Sequence, residues 1–131
     1  MMLGIGDVRD YIAGLGIADN TNVYCGKLDD KKNKSIGVYN NNKQRPVQMA
    51  VGGLNNSSYR IKSVSILVHW NTSIRDTEKT AEQLYNMLRD MTINDTKVFF
   101  TKMLVDEPVD VGTDDNGIFE CVIELDIYYE R

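Results

Sequence analysis

The side chains best suited to nucleophilic, general-base or metal chemistry in this chain are its one histidine, His69, and its two cysteines, Cys25 and Cys121. A Cys–His pair works when the imidazole sits within hydrogen-bond reach of the thiol and takes its proton. The three residues lie far apart in sequence, so only the fold could bring them together. Neither cysteine belongs to a CxxC pair, the spacing that presents two thiolates to one zinc ion. Cys121 falls on the apolar side of an alternating run, where a thiol behaves as a small buried hydrophobe. A lone histidine on a strand is more often a surface or packing residue than a ligand. The sequence therefore assigns no catalytic, cofactor-binding or metal-binding residue.

Two further patterns invite chemistry and fail on spacing. The acidic stretch from Asp106 to Asp115 suggests calcium, but aligning Gly117 with the loop glycine of an EF-hand puts Gly112 at the first ligand position and Ile123 at the last. It reads instead as a solvated acidic loop. Gly14 and Gly16 form a broken GxGxxG that follows a helix instead of a strand, so it cannot present a helix N-terminus to a pyrophosphate. No phosphate-binding GxxxxGK[ST] occurs.

Bulk charge narrows the partners. The net charge is −4 and the isoelectric point near 4.9, against the clustered basic face that neutralises phosphates and against docking on an anionic membrane. With 131 residues, 42% hydrophobic and 26% charged, the chain fits one soluble domain spanning 1–131 with a core of its own. No apolar run reaches the ~20 residues of a membrane-spanning helix. The first residues, with Asp7 and no positively charged start, are not expected to be a signal peptide. Two free thiols fit assembly in a reducing cytoplasm.

The elements that would position these residues follow from periodicity. Leu3, Ile5, Val8, Tyr11, Ile12 and Leu15 recur at three- and four-residue steps and predict a helix over 3–15, with Gly16 as its left-handed stop. Short strands are expected at 22–26 and 35–39, separated by a mixed-charge loop over 27–34, with a second polar loop over 40–45. Val64, Ile66, Val68 and Trp70 alternate within a long strand over 59–70. A helix over 73–91 follows, N-capped by Ser73, with Ala81, Leu84, Tyr85, Leu88 and Met91 as its apolar stripe. Strands at 97–105 and 118–129 complete the set, and the residues from Asp106 to Gly117 between them read as a loop. In the last strand Phe119, Cys121, Ile123, Leu125, Ile127 and Tyr129 face one way, Glu120, Glu124 and Asp126 the other. The expected fold is α+β: an antiparallel sheet with the main helix and the N-terminal helix on one face, its other face wet or turned to a polar partner.

The run SIGVYNNNKQRPVQMAVGG, the strand YRIKSVSILVHW, the continuation NTSIRDTEKTAEQLYNML and the ending ELDIYYER resemble the minor capsid protein family of long-tailed, siphophage-type bacteriophages of Gram-positive hosts. The resemblance extends from VRDYIAGLG through almost the whole chain. It implies a tail-terminator-like fold and a structural, non-enzymatic role: a homo-oligomeric ring, a hexamer, that caps the tail tube and joins it to the head. The implied partners are further copies of the chain, the tail-tube protein and a head-completion or connector protein. DNA would be met only in passage through the channel, which an acidic subunit suits because like charge disfavours phosphate contact. A head-closure or neck protein is the alternative within the same class; a small ligand-binding domain or enzyme is the alternative outside it. The polar loops are long for so small a domain, and long loops often carry contacts. Asp29, Asp30, Lys31, Lys32, Lys34, Asn41, Lys43 and Arg45 are the candidate interface residues.

Overall fold

Apolar residues three and four apart bury one side of the first helix, α1 (Ile5–Gly14), through Val8 and Ile12. Its start is held by the Asp7 carboxylate, which accepts the Gly4 N–H at 3.0 Å. Gly16, at φ 76°, supplies the left-handed turn that ends it. The computed structural model describes residues 3–26, 33–41, 59–91, 93 and 98–130. Arg9 ties α1 to the next element, donating to the carbonyls of Val23 (2.9 Å) and Asn20 (2.6 Å).

Among the described residues six strands form one sheet: β1 (Val23–Cys25), β2 (Ser35–Asn40), β3 (Tyr59–His69), β4 (Val98–Met103), β5 (Val109–Thr113) and β6 (Phe119–Glu130). Their order is β1-β2-β3-β6-β4, and β5 also pairs with β6. The second helix, α2 (Ile74–Arg89), is capped where expected, with the Ser73 hydroxyl accepting the Asp76 N–H at 3.2 Å. Its buried stripe of Thr77, Ala81, Leu84, Tyr85 and Leu88 packs on the same apolar face as α1. The Tyr11 hydroxyl, 3.4 Å from the Met87 carbonyl, links the two helices. Val64, Ile66 and Val68 of β3 meet Leu125, Ile123 and Cys121 of β6 in register, forming the floor of that single core. The α+β architecture is the one the periodicity predicts.

Two details differ from that expectation. The sheet is mixed, because β1 runs parallel to β2 while every other pair is antiparallel. A parallel neighbour requires the chain to return to the same end of the sheet between strands, and the residue pattern of 22–39 does not distinguish that from a hairpin. The supposed loop from Asp106 to Gly117 also contains a strand, β5. It is exposed along its whole length, so no burial imprints the period-two pattern that reveals a strand. β4 and β5 lie end to end along one edge of β6, opposite 125–129 and 119–122 respectively. The Leu104 N–H, donating to the Glu124 carbonyl at 2.9 Å, continues the pairing between them.

The opposite face of the sheet is polar but partly closed. Asp126 is only 2% exposed and accepts a hydrogen bond from the Ser63 hydroxyl directly across the strand pair at 2.6 Å.

Candidate functional site

His69 is the obvious starting point. Pleating puts neighbours on a strand on opposite faces, so Val68 points into the core with its cross-strand partner Cys121, while His69 points to the other face beside Glu120. A Cys121–His69 pair is thereby excluded by register. Cys25 stands exposed on β1, with β2 between that strand and β3.

His69 is 2% exposed, a packing position and not a surface one. Its Nδ1 lies 2.9 Å from Glu120 Oε2 and its Nε2 3.6 Å from Asp114 Oδ2. Asp114 is placed by its own turn. Its Oδ1 accepts the N–H groups of Asn116 (2.8 Å) and Ile118 (3.0 Å), and Gly117 at φ 76° closes the loop. The carboxylate that sequence reading left in a solvated loop thus stands beside the imidazole at the end of β3, too far for a hydrogen bond. Among the described residues no thiol or hydroxyl nucleophile is hydrogen-bonded to this imidazole. Among the described residues no group of three or more His, Cys, Asp or Glu is arranged to hold a metal ion.

A second acidic arrangement lies at the sheet edge, on the helix-covered side. Glu78 and Glu82, one turn apart on α2, converge with Glu107, Pro108 and Asp110 on a cavity of about 130 Å³ whose wall includes Cys121. The Cys121 thiol is pushed up to about 11, first by burial, then by the negative charges of Asp110 and Glu78. Such a thiol stays protonated and is a poor nucleophile at neutral pH.

The candidate interface residues divide into two groups. Asp29, Asp30, Lys31, Lys32, Lys43 and Arg45 lie outside the described residues. Lys34 is exposed at the entrance to β2 with φ 59°. Asn41 is turned inward at the other end of that strand, its Nδ2 donating to Glu124 Oε2 at 3.0 Å. Sequence reading did not single out the edge formed by β4 and β5. It exposes Phe99, Phe100, Val109 and Val111, and Phe100 stacks on Tyr128 with ring centroids 4.3 Å apart. The signal was there in the VFF run of β4, but both phenylalanines were read only as part of a strand over 97–105. A register shift between Val98 and Phe100 puts both outside.

No curated protein and no solved structure matches this chain. A family match covers residues 6–131, which takes in every described strand, α2, all of α1 but its first residue, and both sites just described. On that match the chain belongs to a family described as bacteriophage tail terminator protein.

Proposed function

We propose that this chain closes into a ring on the end of a bacteriophage tail tube, stopping its growth and presenting the finished tail to the head. The observation that carries this reading is the family match over residues 6–131, which makes the protein a phage structural component. The β4–β5 edge supports it. Among the described residues no strand pairs with the outer side of that edge, and it carries four exposed large apolar side chains. Exposed apolar groups beside unpaired strand edges mark surfaces that associate. The candidate contact residues Asp29, Asp30, Lys31, Lys32, Lys34, Asn41, Lys43 and Arg45 belong to the same reading. Ring size six, the siphophage type and a Gram-positive host are parts of the same reading, as are the tail-tube and head-completion partners. A net charge of −4 would ease the passage of DNA through the channel.

The test is a tail preparation made without this protein. Loss of a terminator should give tubes that overrun their normal length and fail to join heads. Tails of normal length beside leaking heads would instead assign the protein to head closure.

A further inference from the structure

The sequence contains one Asn-Gly pair, Asn116–Gly117, and the fold places it at the tip of the turn between β5 and β6. A glycine after asparagine has a chemical consequence. Its backbone nitrogen has no Cβ beside it to block approach, so it can attack the asparagine side-chain carbonyl and close a five-membered ring. A side chain at that position hinders the attack. Here the glycine is not readily exchanged, because Gly117 sits at φ 76°, a left-handed conformation that is strained for a residue with a Cβ. The turn that needs the glycine therefore makes its neighbour reactive.

The closed turn holds that chemistry in check. The Gly117 N–H donates to the Asp114 carbonyl at 3.1 Å, so the attacking nitrogen keeps its proton and its place. Asp114 opens this β-turn, a position that aspartate favours, and glycine is favoured at its close. The Asp114 Oδ1 accepts the Asn116 N–H at 2.8 Å and the Ile118 N–H at 3.0 Å. Its own N–H donates to the Ile118 carbonyl at 3.0 Å. Asp115, Asn116 and Gly117 are exposed to water, and exposed turn tips open locally at a low cost in free energy.

We propose that Asn116 is a self-modification site, converted with water to aspartate or isoaspartate when the Asp114–Gly117 turn opens. Hydroxide removes the Gly117 amide proton, and the nitrogen bonds to Asn116 Cγ as the bond from Cγ to Nδ2 breaks and ammonia leaves. Water then opens the succinimide ring. Cleavage at Cγ gives aspartate, whereas cleavage at the Asn116 main-chain carbonyl gives isoaspartate, with the chain now routed through the side-chain methylene. In sum, an amide and water become a carboxylate and ammonium. Either product sets a third carboxylate beside Asp114 and Asp115. Isoaspartate also lengthens the main chain by one carbon, so the N–H groups on its two sides no longer meet the same Asp114 oxygen. The change does not reverse, and it records how long the turn has stood open.

The experiment follows the mass of the proteolytic peptide that contains Asn116 while full-length protein is held at mildly alkaline pH, with fragmentation separating isoaspartate from aspartate. A parallel sample is unfolded in urea. The unfolded chain should be modified quickly and the folded chain slowly, and raising the pH should speed both. Asp114→Ala removes the acceptor that holds the turn. When folded, it should be modified about tenfold faster than wild type, equivalent to about 1.4 kcal/mol of turn closure. Asp114→Asn keeps an oxygen in that place and should stay close to wild type. Asn116→Gln, whose ring would be one carbon larger, should show no mass change there. Folded protein that carries isoaspartate should unfold at a lower urea concentration than the unmodified protein. An unfolded chain that keeps Asn116 intact would overturn the site. Equal rates in folded and unfolded wild type would overturn the gate, and this comparison decides even where Asp114→Ala does not fold. A folded Asp114→Ala variant that is modified at the wild-type rate would also overturn the gate.

Discussion

Two side chains, His69 and Cys121, carry most of the chemistry that the sequence could suggest, and the pleat of β3 against β6 sends them to opposite faces. His69 is buried and hydrogen-bonded to Glu120. Truncation to alanine removes the donor facing Glu120 Oε2 and leaves that partly buried carboxylate and Asp114 without the ring between them. His69→Ala should therefore destabilise the fold by about 1–3 kcal/mol, read as a lower urea midpoint; an unchanged midpoint would show that the His69–Glu120 hydrogen bond adds nothing to stability. Cys121 lends itself to a pH argument. Its thiol is raised from 9.0 to about 11 in the folded chain, mainly by burial and then by Asp110 and Glu78. As pH rises past 9 the unfolded thiol ionises first, so stability present below that value should fall between pH 9 and 11. At pH 8 iodoacetamide should label Cys25, which is exposed, and spare Cys121 until the protein unfolds. Equal labelling of both in the native protein would show that Cys121 is not shielded. The presence of His69 and both thiols was legible from the sequence. Their segregation was not, because it depends on which residue of β3 opposes which residue of β6, and β6 begins fifty positions further along the chain.

At the scale of elements, burial decided what could be read. α2 is half-buried, so its stripe and its Ser73 cap stood out, and the alternation of β6 was equally plain. Leu88 is fully buried in that stripe, and Leu88→Ala should destabilise by about 2–5 kcal/mol through lost burial and the cavity left behind. A denaturant titration showing less than about 1 kcal/mol would mean that the helix is not docked on the sheet. β5 shows the converse. VDVGT has two valines on an outer edge, both exposed, and it pairs only because the chain leaving β4 continues along β6. Position in the sheet made it a strand, and position is not written in local composition. The same holds for the acidic cavity, which joins α2 residues to a segment that begins eighteen positions after that helix ends.

Over the whole molecule, the family match makes the chain a phage tail terminator-like part. The sheet order has another consequence, which concerns how the subunit is made. β6 is the hub: it pairs with β3 on one side and with both β4 and β5 on the other. Yet it follows all of them in the chain. A ribosome making this polypeptide releases β3, α2, β4 and β5 before the strand that unites them. Until then the apolar sides of β3 and α2 have no floor to close on, and such surfaces are prone to aggregate. Since its pairings with β3 are also distant in sequence, the chain should collapse late and slowly compared with a helical protein of equal length.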